Sequence, residues 1–245
     1  APINGPDDSG GGVAFETGCL VSNCTVVGNS AVQGGGVYGA GLLIDSRVVD
    51  NYAQYFGGGV SSEENADIHR CLIARNSSDM LGGGVYADAR SDTGDYFTDS
   101  TIVSNRAADK GGGVYTRSSQ QLEECFIGYN TSDDKGGGVY SYGGGLNRCI
   151  IWGNVASNDG GGAYVESQGF YTNCLVAGNN MASRGGGVFF VGGICCNCTI
   201  SSNSAATDGG GIYFDYSGTL LNSIAWYNSA RSEERRVGKE CATGC

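Results

Sequence analysis

Charged residues in the two positions before the glycine triplets are the strongest candidates for chemistry in this chain. They are Asp109, Lys110, Asp134, Lys135, Asp159 and Arg184. Carboxylates beside a basic group suit general acid–base catalysis, provided that they converge on one substrate atom. Alternatively, charges that recur at one turn form ion pairs between successive repeats, each contributing under about 1 kcal/mol. The sequence leaves both interpretations open.

An aromatic stripe is the second candidate site. An aromatic residue comes one position after the aliphatic residue that follows most triplets. The candidates for ligand binding are Tyr86, Tyr115, Tyr140, Tyr164, Phe189 and Tyr213. Strand alternation points these rings outward, and an exposed stripe could stack on sugars or dock a partner. The favoured alternative is that the rings simply cover the sheet beside the glycine corner, or that the alternation is inverted.

An acidic insertion is the third candidate. The step between the triplets at Gly82 and Gly111 is 29 residues, the longest in the chain, and insertions in a solenoid become protruding loops. Asp92 and Asp95 lie in this loop and could bind calcium through carboxylate oxygens, although no EF-hand pattern is present. The alternative is a plain acidic surface loop. We expect no cofactor apart from this possible calcium.

A repeat of 24–25 residues must position all three features. Glycine triplets begin at Gly10, Gly34, Gly57, Gly82, Gly111, Gly136, Gly160, Gly185 and Gly209. An asparagine recurs in phase with them, at Asn29, Asn51, Asn76, Asn105, Asn130, Asn154, Asn179, Asn203 and Asn228. Nine copies in nearly constant phase indicate a solenoid whose coils stack on one another.

The composition of each repeat favours strands, because the repeats are rich in glycine, β-branched and aromatic residues. One repeat accommodates three short strands and three turns. The sequence therefore predicts an all-β fold, a single-stranded right-handed parallel β-helix of about nine coils. Two aliphatic columns should point inward, and the asparagine amides should form a ladder at a turn.

The cysteines are predicted to be mostly free and buried. Six of them share one internal column with serines, which indicates a small side chain rather than chemistry. Cys19, Cys195 and Cys196 lie outside this column and could form a local disulfide. Without a second Cys-x-x-Cys pair or a nearby histidine, a zinc site is not expected, and His69 should lie at the surface.

The two ends of the chain differ in character. Residues 1–230 are predicted to form the β-helix, as a fragment of a longer solenoid. Residues 231–245 break the pattern, and the run RSEERRVGKEC from Arg231 resembles a translated sequencing adapter. We therefore expect this tail to be non-native or disordered. Because neither end of the repeat array shows a polar cap, end-to-end self-association is also expected.

Composition excludes two classes of partner. The net charge of −11 disfavours nucleic acid. No run of 18 apolar residues is present, so no membrane-spanning helix is expected in this chain.

The motifs GGGVY and CFIGYN, the latter ending at Asn130, resemble the repeats of right-handed β-helix (pectate-lyase-like) proteins. They are most similar to bacterial surface repeats of the polymorphic outer-membrane type. That resemblance implies a secreted or cell-surface (outer-membrane) bacterial location and a passenger or stalk, often adhesive. Polysaccharide lyases on this fold combine acidic calcium ligands with a proton-abstracting base, which makes the charged row the best enzymatic candidate.

We therefore expect an extracellular or cell-surface module that acts as a structural stalk or adhesive surface and is not an enzyme. Its partners would be carbohydrate or a host or cell-surface protein. The alternative is a carbohydrate-active β-helix enzyme, either a polysaccharide lyase or a glycoside hydrolase.

Overall fold

The structure is a computed structural model that describes residues 9–62, 66–88, 96–117, 120–180 and 182–230. Within these ranges all regular structure is β-strand, and the paired strands run parallel. Stacked coils form about eight turns, delimited by the nine strands of one sheet. The predicted all-β, parallel β-helix fold is confirmed.

The first sheet contains the strands that follow the glycine triplets, and we call it the triplet sheet. It has 14 strands, because some coils run straight through a bend that divides the strand in others. The strands are Val13–Ser22, Val37–Ile44, Val60–Ser62, Asp67–His69, Val85–Ala87, Tyr96–Thr98, Val114–Thr116, Gln121–Glu123, Val139–Ser141, Gly144–Asn147, Ala163–Thr172, Val188–Cys196, Ile212–Phe214 and Thr219–Leu221.

The second sheet, called the middle sheet, has nine strands of three residues each. They are Thr25–Val27, Arg47–Val49, Leu72–Ala74, Thr101–Val103, Phe126–Gly128, Ile150–Trp152, Leu175–Ala177, Thr199–Ser201 and Ile224–Trp226. The strands pair residue by residue, so every side chain stands above the equivalent one of the next coil.

The third side of each coil leads to the next glycine triplet. It has six strands in one sheet, Ser30–Gln33, Tyr52–Phe56, Ser77–Ser78, Arg106–Ala107, Thr131–Ser132 and Val155–Ala156. Three further strands complete it in a separate sheet, Ala182–Arg184, Ser204–Asp208 and Ser229–Ala230.

The core is a set of aliphatic columns inside the coils. In the inner coils the aliphatic residue after the triplet and the central residue of the middle-sheet strand are almost fully buried, as in Val114 and Ile127. In the end coils the equivalent residues are more open: Val13 and Ile212 are half-buried and Ala225 is exposed. A third column that the sequence did not single out closes the interior, through residues such as Phe97, Leu122 and Leu146. Since a single coil cannot bury these faces alone, the stack is the unit of stability.

Each glycine of a triplet meets a different demand, as the fifth triplet shows. Gly111 has a φ of 68°, a left-handed conformation that costs little for glycine. A Cβ on Gly112 would lie 2.3 Å from the carbonyl oxygen of Thr131. On Gly113 it would lie 2.8 Å from Nδ2 of Asn130. The glycine and asparagine motifs keep phase because they are in contact across the coil.

The asparagine side chains form a continuous ladder. Asn105 Nδ2 donates to Asn130 Oδ1 at 3.0 Å, and Asn130 Nδ2 donates to Asn154 Oδ1 at the same distance. The backbone N–H of each asparagine donates to the same oxygen of the next coil. Because Asn130 is fully buried, this pattern satisfies polar groups that would otherwise be costly.

The cysteine and serine column follows a row of left-handed corner residues. Cys125 Sγ donates to the backbone carbonyl of Glu123, and Ser100 Oγ donates to that of Thr98. The thiol and the hydroxyl therefore make the same hydrogen bond at the corner. The cysteines of the described residues are free, including Cys195 and Cys196, which the sequence left open. The sequence predicted only that these side chains are small and buried. The structure adds that they donate hydrogen bonds to the backbone.

Several sequence predictions fall outside the described residues. The calcium candidates Asp92 and Asp95 lie there, as does the tail 231–245. Across the described ranges, no helix exists that is long and apolar enough to cross a bilayer.

Candidate functional site

The charged candidates lie in one row along the third side of the coils. Lys110 pairs with Lys135 through a parallel bridge, and both stand directly before a triplet. Arg184 forms an ion pair with Asp159, at 2.9 Å between Nη2 and Oδ2, and approaches Asp215 at 3.8 Å. Of the six candidates, all of which the structure describes, Asp159 and Arg184 are the two that join in such a pair.

The aromatic stripe lies beside this row, and its rings from Tyr86 to Phe189 are buried. The interpretation of an exposed stripe is therefore wrong, and the burial agrees with the alternative that the rings cover the sheet. The rings point outward from the triplet sheet, as strand alternation requires, but they form a stacked and buried column, and we call this region the crease. Tyr115 and Tyr140 have ring centroids 5.0 Å apart with 2° between the planes. The column comprises Phe56, Tyr86, Tyr115, Tyr140, Tyr164, Phe189 and Tyr213. Tyr140 is only 2% exposed.

The crease is closed by the charged row itself. Lys135 Nζ lies 4.6 Å from the ring centroid of Tyr164, and Lys110 Nζ lies 5.3 Å from that of Tyr140. The guanidinium of Arg184 sits 4.9 Å from the ring centroid of Phe189. These cations lie over rings of the column, in cation–π contacts.

The acidic members of the row have separate surroundings. Burial raises the pKa of Asp109, an effect that Lys110 opposes and Asp134 adds to. Asp134 accepts a hydrogen bond of 2.6 Å from the side-chain amide of Asn158, and Asp159 is engaged by Arg184. Asp159 and Arg184 thus form an ion pair between neighbouring coils, as the ion-pair interpretation expects, whereas Asp134 bonds a neutral amide and Lys110 stands in register with Lys135.

A second aromatic cluster, which sequence reasoning missed, lies on the outer face of the middle sheet. We call it the platform, and it consists of Phe126, Tyr129, Ile150, Trp152 and Leu175. Tyr129 is 58% exposed, and Ile150 and Trp152 are each 40% exposed. Phe126, Ile150 and Leu175 stand in register on three successive coils. The platform therefore runs along the axis of the stack.

Glycines outside the triplets let the platform rings lie against the sheet. A Cβ on Gly128 would lie 2.7 Å from Phe126 Cε1. Tyr129 covers Gly153 of the next coil, with 3.0 Å from a Cβ there to Cε1. A Cβ on Gly178 would lie 3.6 Å from Trp152 Cε2, so this ring too lies beside a glycine. The rings therefore lie close to the backbone, while Tyr129 and Trp152 remain exposed.

A polar rim borders the platform at the left-handed corners that precede the middle sheet. Arg148 pairs with Glu124 at 2.6 Å and with Glu123 at 2.7 Å. Asn147 donates to Glu123 at 2.9 Å and accepts from Asn173. The Arg148 guanidinium lowers the pKa of Glu124. This rim is a network of amides, carboxylates and one guanidinium, all of it accessible to solvent.

The signal that could have revealed the platform is not periodic. The motifs CFIGYN, CIIWGN and CLVAGN end at Asn130, Asn154 and Asn179. Each has a glycine in one of the two positions before its asparagine, and in the first two motifs the other position holds an aromatic residue. Periodic reasoning averages over such differences between repeats. The platform exists in the coils where these motifs are stacked.

The remaining sequence predictions concern metals and His69. Within the described ranges, no group of three or more histidine, cysteine, aspartate or glutamate side chains is arranged to hold a metal ion. His69 is half-buried, with Nδ1 at 2.6 Å from Thr98 Oγ1, so it is less exposed than expected.

The Chlamydia polymorphic membrane protein repeat matches residues 197–215, which include the ninth glycine triplet. No match was found among the curated proteins or among the solved structures. Together with the stacked parallel coils, the match makes this chain a β-helix repeat protein that resembles polymorphic outer-membrane proteins.

Proposed function

We propose that the chain is a non-enzymatic module of a bacterial cell surface, which acts as a stalk and presents an adhesive face. The repeat matched at residues 197–215 is named for membrane proteins of Chlamydia and supports a location at the outer membrane or surface. The platform is the observation that carries the adhesive role. It exposes aromatic rings in a contiguous cluster, whereas the aromatic column of the crease is closed by the charged row.

Attachment to intact surfaces tests this proposal. Beads coated with the chain should bind to at least one of epithelial cells, bacterial cells and plant cell-wall fragments. Beads carrying Trp152→Ala should bind less than the wild type. The matched control is Tyr142→Ala, which removes an aromatic ring that is 52% exposed but lies outside the platform. Equal attachment of the wild type and Trp152→Ala would contradict an adhesive platform.

A second candidate is a carbohydrate-active enzyme of the charged row. The observation that favours it is Asp109, whose pKa is raised by burial while Lys110 and Lys135 lie near it. A lyase would release unsaturated sugars, which absorb ultraviolet light. Product formation on a panel of polysaccharides that is abolished by Lys135→Ala would replace the adhesive proposal with this one.

A further inference from the structure

We infer that the platform binds an uncharged polysaccharide, whose chain lies along the axis of the stack across the coils of Phe126, Ile150 and Leu175. This inference rests on the proposed adhesive function and names its ligand. It depends on the exposure of the rings, the polar rim and the sign of the surrounding charge.

The rings of the platform are accessible, as sugar stacking requires. The apolar face of a sugar ring is formed by C–H groups, and it packs against an aromatic plane. Tyr129 and Trp152 each lie beside a glycine of the following coil, and they are 58% and 40% exposed, so both present ring surface to solvent. Side chains that are already packed beside the sheet lose less conformational freedom on binding.

The platform repeats along one direction, which suits a repeating chain. Strands of neighbouring coils are about 4.8 Å apart, a spacing comparable to the advance per sugar in an extended polysaccharide. The residues Phe126, Ile150 and Leu175 offer one apolar contact per coil in register. Hydroxyl side chains continue the same face beyond the cluster, at Thr101 on one side and Thr199 on the other.

The rim supplies polar groups for sugar hydroxyls, and its charge selects among polysaccharides. Glu123 and Glu124 oppose an acidic ligand, while the single cation, Arg148, is already paired with both carboxylates. The whole chain carries a net charge of −11, which repels polyanions further. The side-chain amides of Asn147 and Asn173 can both donate hydrogen bonds to neutral sugar hydroxyls and accept them. An uncharged chain therefore fits where an acidic one does not.

Binding to purified polysaccharides tests the inference. The wild-type chain should be retained by at least one of cellulose, chitin and mixed-linkage glucan, and not by polygalacturonate. Affinity for the neutral polymer should be insensitive to added salt. Trp152→Ala and Tyr129→Ala should each weaken it about tenfold or more, as expected for a central aromatic contact. Tyr142→Ala should bind like the wild type, and unchanged unfolding midpoints would show that the variants fold.

Other outcomes overturn the inference in distinguishable ways. Retention of the neutral polymer by Trp152→Ala would place the binding site elsewhere. Salt-sensitive retention by polygalacturonate would contradict the charge argument. If no polysaccharide is bound but coated beads still attach through Trp152, the adhesive function stands and the ligand is a protein. If wild-type chains associate in sedimentation and Trp152→Ala chains do not, a second copy covers the platform.

Discussion

The crease and the platform are both aromatic clusters on the outside of the same coil, yet one is buried and the other open. In the crease, each coil contributes one ring to an unbroken column, and cations from the neighbouring row lie over its rings. In the platform, rings alternate with glycines and lie close to the backbone. The neighbouring side chains, rather than the direction in which a ring points, decide whether it is accessible.

This difference separates two roles. Stacked rings that are excluded from water stabilise the stack of coils through burial and offset stacking. Rings that remain exposed stabilise little, and they remain available to a partner. The following predictions, in order of decreasing effect, test whether stability and recognition are divided between these two regions.

The largest difference is expected between Tyr140→Ala and Trp152→Ala. Tyr140 is stacked between Tyr115 and Tyr164, so its removal leaves a cavity and should cost about 3–5 kcal/mol of unfolding free energy. Trp152 is 40% exposed, and its removal should cost under about 1 kcal/mol. Denaturant unfolding measures both. Similar losses of unfolding free energy in the two variants would contradict a division of roles between the crease and the platform.

A smaller difference is expected between two glycine substitutions. A Cβ on Gly137 in the crease corner would lie 2.3 Å from the carbonyl oxygen of Val155, so the backbone must move. Gly137→Ala should cost about 1–3 kcal/mol, as overpacked sites do. A Cβ on Gly153 would meet the ring of Tyr129, which can swing away.

Gly153→Ala should therefore affect stability less than Gly137→Ala, and platform binding more. The φ of 63° at Gly153 adds some strain to the substitution, but Tyr129 adopts the same left-handed conformation at the equivalent corner. Unfolding and polysaccharide binding are measured on both variants. A Gly153→Ala protein that unfolds earlier than Gly137→Ala would contradict the division of roles.

The sequence predicted the coil better than its surfaces, for a physical reason. The period of triplets and asparagines arises from contacts such as Gly113 with Asn130, which every coil repeats. The direction of Tyr140 follows from strand alternation alone. Its burial depends on Lys110 and on the rings of Tyr115 and Tyr164 in the adjacent coils, which no local pattern encodes. The platform depends on single departures from the repeat, such as Trp152 and Gly178.

Removing a cation from each region should have a still smaller effect. Lys135 covers the ring of Tyr164, and such cation–π contacts contribute about 0.5–2 kcal/mol, depending on burial. Arg148 forms ion pairs at an exposed corner, where each contributes about 1 kcal/mol or less and salt screens it. We expect Lys135→Ala to lower the unfolding free energy more than Arg148→Ala does. Unfolding at low and high salt measures both, and a Lys135→Ala effect that vanishes at high salt would show that its cation–π contact is unimportant.

The smallest effect is a difference in pH dependence between Asp109 of the charged row and Asp50. Asp50 lies on the row of left-handed corners that Tyr129 occupies three coils later. Burial raises the pKa of Asp109 above its ordinary value of 3.8, so its contribution to stability is present below that value and is lost as pH rises through the folded pKa. The hydrogen-bonded Arg75 lowers the pKa of Asp50, so its contribution is present above 3.8 and is lost as pH falls through the folded pKa. At neutral pH, Asp109→Asn should therefore be more stable than the wild type and Asp50→Asn less stable, and both differences should fade in acid. Carboxyl chemical shifts followed by NMR give the two pKa values directly, and shifts in the same direction would show that the crease does not desolvate its acids more than the open corner does.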